Sequence, residues 1–456
     1  MSERAADVRE RYRELVSDGP AFMESLLTEL PSVIWPQPER LDRAGLAALF
    51  EARSEPVAWT SDALRLEGVD RPGKHWGHWT GLYYVQEEAS ILAARLLDAK
   101  PGERVLDLCA APGSKTARLA FALENRGTIV ANDRKATRHA ATSASLARLG
   151  LANVTTTVAD GSTLPDAIGT WDCVLVDAPC TAEGNLGPRT RESGDYRTFI
   201  AGVQEALLRR ALELCRPGGR VVYSTCTFAP EENEAVLDAA LRTFEDVDVV
   251  EVEIDGLRTS PGIDAWRGRT FDPRVRRALR LWPHESGTGG FFAALLHKAG
   301  DGVAEGGVPV MTRAEPALAS AAVQGLVTRY GVPEEAFAGL HLLARGRYAR
   351  LVPSDHLMPA AAEHVASGLE LARNRPRGKI ATAAALRFGR EATRQIIDLD
   401  LDRARAYLAR EQVPLRPSDR ERSAGGYVIV RHGPHALGMA LDRGDHLESE
   451  FPSAWR

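Results

Sequence analysis

Between residues 104 and 225 short runs of aliphatic and β-branched residues alternate with segments whose apolar positions recur at helical spacing. Arg104-Val-Leu-Asp-Leu-Cys109 predicts a strand entering a Pro-Gly turn, with a helix over 115–124. A second strand is expected at 128–133 with its helix at 135–149, and further strands at 153–158, 171–177 and 219–225. Runs that are apolar on both faces and separated by helices belong to a parallel sheet covered on both sides. Two later runs, 278–282 and 290–296, predict an antiparallel pair that finishes the sheet, and the core then stops near Lys298. The expected class is α/β, doubly wound and mostly parallel, with its ligand beyond the carboxyl ends of the strands.

The flanks read differently. Helical patterns at 3–16, 20–30 and 43–52 precede a turn-rich stretch at 68–81, and 85–98 again has helical spacing, ended by Pro101-Gly102. Ala299-Gly-Asp-Gly-Val-Ala-Glu-Gly-Gly307 reads as a linker, followed by a tail of mixed helical and strand patterns. The expected organisation is a small α/β unit at 1–84, the α/β core at 85–299, a linker at 300–312 and an α+β extension at 313–456.

Composition excludes several classes. The 456 residues are 44% hydrophobic and 26% charged with a net charge of −5, which rules out a basic tail-like nucleic-acid binder and an acidic disordered chain. Five cysteines without close pairs argue against a secreted disulfide scaffold. The charged N-terminus lacks an apolar signal core, and no run of about 18 apolar residues occurs. A cytoplasmic protein without membrane contact is expected, monomeric by default. Arginine far outnumbers lysine, which suits phosphate recognition but follows equally from a GC-rich genome. The tail is slightly basic. Within 371–397, Arg373, Arg375, Arg377, Lys379, Arg387, Arg390 and Arg394 face only Glu391, so this stretch is the candidate phosphate contact, with a solvated helix face as the alternative.

Candidate chemistry gathers at the strand ends. Asp107-Leu-Cys-Ala-Ala-Pro-Gly-Ser-Lys-Thr116 places a small-residue turn between strand and helix, where a ligand can approach backbone N–H groups. It matches neither a G-x-G-x-x-G fingerprint nor a P-loop, so pyrophosphate binding is unsupported. A smaller adenosine-containing cofactor fits better: Asp133 stands where ribose hydroxyls would be bound, and Asp160 where an adenine amino group would be met. Cys180, in Asp177-Ala-Pro-Cys-Thr181, and Cys226, in Ser224-Thr-Cys-Thr227, each lie just past a strand's carboxyl end and are candidate nucleophiles. Cys173 and Cys215 read as small buried hydrophobes, as does the side chain of Cys109. No zinc-ligand spacing is present, and no metal is expected.

With these residues in view, 83–297 resembles the Nol/Nop/Sun (NSUN) family of RNA cytosine-C5 methyltransferases, which use S-adenosylmethionine on a Rossmann-like core. The resemblance rests on Tyr83-Tyr-Val-Gln-Glu87, Asp107-Leu-Cys-Ala-Ala-Pro-Gly-Ser-Lys115, Asn132-Asp133, Asp177-Ala-Pro-Cys180, Ser224-Thr-Cys226, and Arg280-Leu-Trp-Pro-His284 with Gly290-Phe-Phe292. Ser114 stands where the family usually has glycine, and 32–42 lacks its Arg-Val-Asn-Thr pattern. Gly426-Tyr-Val-Ile-Val-Arg431 and Leu437-Gly-Met439 are similar to the PUA-like tail of bacterial RsmF-type enzymes, which modify 16S rRNA.

The resemblance implies that Cys226 adds to carbon 6 of cytosine, that Asp177 stabilises charge at N3, and that Cys180 takes part in release. It implies cofactor contacts from Cys109, Ala110, Ala111, Pro112, Gly113, Ser114, Lys115, Asp133, Asp160 and Asp177. Arg138 is a candidate on the RNA side of the crevice, with a solvated helix residue as the alternative. The 1–84 unit would be RNA-binding-like, and the partner rRNA or the small ribosomal subunit. The alternatives are a cytosine-C5 methyltransferase acting on tRNA or another RNA, and a non-catalytic RNA-binding ribosome-assembly factor.

Overall fold

A computed structural model describes residues 2–50, 53–185, 194–309, 316–345, 348–360, 363–373 and 379–456. Five parallel strands form the centre, in the spatial order Cys215–Thr225, Trp171–Asp177, Arg104–Asp107, Thr128–Asn132 and Val154–Val158. Each lies within two residues of its expected position except the last in sequence, which begins four residues earlier, at Cys215. Helices Ser114–Ala122, Ala136–Leu149, Gly194–Leu214 and Glu234–Thr243 follow four of these strands in the chain. The strand order reverses on either side of Arg104–Asp107, which opens a crevice beyond Asp107 and Asp177. The expected antiparallel pair is present: Phe291–Lys298 lies against Cys215–Thr225, and Leu279–Leu281 against Phe291–Lys298.

The sheet does not end with the core's own strands. Glu363–Ser367, from the tail, pairs antiparallel with Val154–Val158 and covers what would be an open edge. His356 bonds Thr155 Oγ1 at 2.9 Å, and Thr156 Oγ1 donates to the Ala366 carbonyl at 3.2 Å. The segment Glu363-His-Val-Ala-Ser367 has no strong apolar alternation, so the expectation of a core complete at Lys298 missed this strand.

Nor is 85–98 one helix. Tyr83–Gln86 is a strand paired with Ser32–Pro36, and the helix is Ile91–Leu97. Trp35 stacks on Tyr84 with ring centroids 5.3 Å apart and donates its indole N–H to Gln86. Cross-strand aromatic packing outweighs the helical spacing. Glu87 then accepts from the N–H groups of Ala89 and Ser90 and turns the chain into the helix.

Helices Ser2–Tyr12 and Gly19–Leu27 do not pack on this small sheet. Tyr12 and Phe22 bury against Phe228 and Trp282, which stack at 5.1 Å next to the Cys226 loop. Trp76 packs against His432 and His435, so the 76–84 aromatics serve packing, with Tyr83 and Tyr84 buried. The tail is α+β, with a mixed five-stranded sheet ordered Ile396–Asp398, Gly426–His432, His435–Asp442, His446–Ser449 and Val413–Pro414. No helix among the described residues is long and apolar enough to cross a membrane.

Candidate functional site

The crevice is built from five strand ends. After Arg104–Asp107 the chain turns through 108–113, and Gly113, at φ 102°, starts the helix Ser114–Ala122. That backbone conformation strains any residue with a Cβ, and a Cβ here would also stand 3.0 Å from Thr142 Cγ2. The turn is anchored by the Ala110 N–H, which donates to the Asn132 carbonyl at 2.8 Å. Asp107 is buried below it and accepts from Thr116 Oγ1 at 2.7 Å; burial pushes its carboxyl up to about 7.

Four of the predicted residues converge directly. Lys115 Nζ donates to Asp177 Oδ2 at 2.7 Å, and Ser224 Oγ donates to Asp177 Oδ1 at 2.9 Å. Burial works against the Lys115 ammonium, but Asp177, and after it Cys226 and Asp107, raise it overall, so it stays charged. Cys180 Sγ and Cys226 Sγ lie 3.3 Å apart, beyond the ends of adjacent strands. The hydrogen bond to Cys226, together with burial, holds Cys180 well above the usual thiol range.

The cofactor side lies across the same mouth. Asp133, almost fully buried, accepts from the Lys135 N–H at 2.9 Å and ion-pairs with Arg138 at 2.9 Å. Asp160 accepts from the Ser162 N–H and hydroxyl and remains part exposed. Burial, then Asp107, Asp177 and Asp133, push the Cys109 thiol far up. These carboxylate acceptors suit a cofactor that carries ribose hydroxyls and a positive sulfonium.

Two of the candidate RNA-side features have partners within the protein. Arg138 remains about half exposed, as a solvated helix residue would, while it ion-pairs with Asp133 and bonds the Ala111 carbonyl of the cofactor loop. In the 371–397 stretch several basic side chains have partners within the protein, while Arg373, Arg390 and Arg394 stay exposed. Arg373 pairs with Glu370 at 2.6 Å, Lys379 pairs with Glu450, Arg387 with Glu39, and Arg394 donates to the Val327 carbonyl. Their acidic partners lie outside the sequence window. Arg375 and Arg377 lie outside the described residues. Among the described residues no group of three or more His, Cys, Asp or Glu forms a metal cluster. The sequence reading also missed Ser224 as a partner of Asp177, and the buried pair Glu232-Asn233, whose charged run reads as an ordinary helix start.

The chain matches the family model described as 16S rRNA methyltransferase RsmB/F over residues 94–297 and that of the methyltransferase RsmF PUA domain over 394–456. It is 34% identical to the tRNA (cytosine(49)-C(5))-methyltransferase of Pyrococcus abyssi over 63% of this chain and 94% of that one. It is 30% identical to the ribosomal RNA small subunit methyltransferase F of Aeromonas hydrophila over 89% of this chain and 87% of the relative. A crystal structure of a methyltransferase homolog from Pyrococcus horikoshii aligns with a TM-score of 0.57 and 32% identity, covering 63% of this chain and 93% of that one. The chain belongs to the RsmB/F family of methyltransferases and carries the family's RsmF-type PUA domain.

Proposed function

We propose that this protein methylates carbon 5 of cytosine in RNA, with S-adenosylmethionine as donor and 16S rRNA of the small ribosomal subunit as target. The observation that carries the reading is the pair of sulfurs 3.3 Å apart beside the Lys115–Asp177 ion pair. Carbon 5 is a weak nucleophile, and a thiolate added at carbon 6 makes it enamine-like. Cys226 forms that bond, and the Lys115 ammonium lies within electrostatic reach of its sulfur. Asp177, oriented by Lys115 and Ser224, meets N3 and stabilises charge as it develops on the ring. S-adenosylmethionine, when bound, supplies the electrophilic methyl carbon. The 109–115 loop holds its methionine end, Asp133 its ribose and Asp160 its adenine, and Arg138 fixes Asp133 against the loop. After methylation the carbon-5 proton passes to water, its C–H electron pair restores the 5,6 double bond, and the carbon 6–sulfur bond breaks with its pair of electrons returning to Cys226. A proton on Cys180 Sγ, 3.3 Å from that sulfur, stabilises the departing thiolate.

A base inside a helix hides carbons 5 and 6, so the target cytosine is unpaired or flipped out. The rRNA reading is favoured over tRNA by coverage: the rRNA relative matches 89% of this chain, the tRNA relative 63%. We assign RNA-facing roles to 1–84 and to the PUA-like part of 313–456, around a catalytic unit at 85–299, and a cytoplasmic site of action with the ribosome. Bisulfite sequencing of small-subunit rRNA with and without the protein tests the reading. A cytosine converted only in its absence is expected, and Cys226→Ala is expected to lower tritiated-methyl transfer by about 10³-fold or more. Near wild-type turnover of Cys226→Ala overturns the assignment.

A further inference from the structure

We infer that the consecutive residues Glu232 and Asn233 are the positioning device that sets the two cysteine sulfurs against each other, Glu232 through the Cys180 loop and Asn233 through the Cys226 loop. The inference rests on the catalytic reading above and deepens it.

Both side chains are fully buried. Glu232 Oε2 accepts from the Thr181 N–H at 3.0 Å and from Gln204 Nε2 at 3.0 Å, and its Oε1 accepts from Thr181 Oγ1 at 2.5 Å. Gln204 Nε2 also donates to the Pro179 carbonyl at 2.8 Å. The residues on both sides of Cys180 are therefore held from one carboxylate. Asn233 does the same for Cys226: its Oδ1 accepts from Thr225 Oγ1 at 2.6 Å, and its Nδ2 donates to the Thr227 carbonyl at 3.0 Å. The two loops are then stitched together. Thr181 Oγ1 and Thr227 Oγ1 share a 2.7 Å hydrogen bond, and the Gly184 N–H donates to the Cys226 carbonyl at 2.9 Å. A Cβ on Gly184 would fall 2.1 Å from the Gly290 carbonyl oxygen, so the close approach of these loops depends on glycine there. Because Glu232 and Asn233 are adjacent, one peptide unit limits how far the sulfurs can drift apart.

Neither residue is doing the ordinary work of its position. Asn233 stands at the N-cap of Glu234–Thr243, yet its side chain makes no capping bond to that helix. Glu232 is bound only by neutral donors among the described residues, and a buried carboxylate without a cation is costly. Burial pushes it up to about 7, so near neutrality it spends part of its time as the neutral acid. The neutral acid and a glutamine present the same pattern here, a carbonyl oxygen toward Thr181 N–H and Gln204 and a donor toward Thr181 Oγ1.

The experiment compares Glu232→Ala, Glu232→Gln and Asn233→Ala with Cys180→Ala in the full-length protein, using substrate rRNA and S-adenosylmethionine. Three quantities are read: first-turnover methyl transfer, the fraction of enzyme in a denaturant-resistant RNA adduct, and the thermal midpoint. A displaced reacting group costs about tenfold or more in rate. Glu232→Ala is therefore expected to accumulate adduct, as is expected of Cys180→Ala, while its first turnover stays within about threefold of wild type; Asn233→Ala is expected to lose first turnover about tenfold or more without adduct. Glu232→Gln is expected to restore release. Should the alanine variant fold poorly, Glu232→Asp, which keeps the charge and shortens the reach to Thr181, gives the same readout. The clamp is overturned if Glu232 and Asn233 variants lose activity only in proportion to folded protein, or if the adduct fraction is unchanged while Cys180→Ala raises it. A Cys226→Ala protein that still methylates would instead remove the catalytic reading itself.

Discussion

At the crevice, Asp160 and Asp177 keep carboxylate surface toward the mouth even though each already has a partner, and Asp133 lies almost fully buried against Arg138. In the tail, Arg373, Lys379 and Arg387 are spent on Glu370, Glu450 and Glu39. Both regions look densely charged in the sequence. The difference is where the partners lie: Lys115 and Asp177 meet at the ends of neighbouring strands facing a crevice, whereas Arg387 reaches a residue 348 positions away to tie the tail to the leading unit. Charge density in a window therefore says little about free charge. What matters is whether the fold leaves the group pointing into a cavity or against another element.

The sharpest way to break this comparison is at the sulfurs. Cys180→Ala removes the S–H that faces Cys226, and a covalent protein–RNA band on a denaturing gel is expected under turnover conditions, with turnover lowered by about 10²-fold or more. Absence of the band would mean that the crevice thiol is as structural as the tail's arginines. Next in size is the cofactor side. Asp133→Ala is expected to weaken S-adenosylmethionine binding by about 1–3 kcal/mol, read by calorimetry, since Arg138 loses its buried partner and the ribose its acceptor. Lys379→Ala, the corresponding cut in the tail, is expected to leave that affinity unchanged.

Acidity sharpens the contrast further. Burial raises Asp107 to about 7, above its unfolded value near 4. Its contribution to stability is therefore complete below about pH 4 and is lost as pH rises through 7. Asp107→Asn cannot ionise, so its thermal midpoint should gain on wild type between pH 5 and pH 8, by about 1–3 kcal/mol of stability at the upper end. A constant difference across that range would mean that Asp107 is not held neutral at low pH.

Much of this site was legible because its chemistry sits at strand ends, where periodicity of the apolar runs locates each turn and hence Cys180, Cys226, Asp133 and Asp177. The Glu232-Asn233 clamp was not, because Ala-Pro-Glu-Glu-Asn-Glu-Ala-Val-Leu is indistinguishable from a solvated helix start until its side chains are seen to be buried. The edge strand Glu363–Ser367 was hidden for a related reason: it is specified by the threonines of Val154–Val158 across the gap and carries little pattern of its own. The contact of Arg138 with the Ala111 carbonyl was hidden because helical phase alone does not reveal which neighbour is close enough to bind.

The smallest effect is expected in the tail. Removing 301–456 would strip Glu363–Ser367 from the sheet edge, so a point substitution reads RNA contact more cleanly. Arg390 differs from its neighbours: it is exposed and forms no ion pair among the described residues, beside Arg40 and His435. One phosphate contact accounts for about one unit of slope in the salt dependence of binding. Arg390→Ala should therefore weaken rRNA binding about two- to fivefold and lower that slope by about one, in filter assays across a salt series. Arg373→Ala, which breaks the pair with Glu370, should leave the slope unchanged and act only on the thermal midpoint, by less than about 1 kcal/mol for so exposed a pair. If the two substitutions shift the slope equally, pairing inside the tail does not withdraw its arginines from RNA.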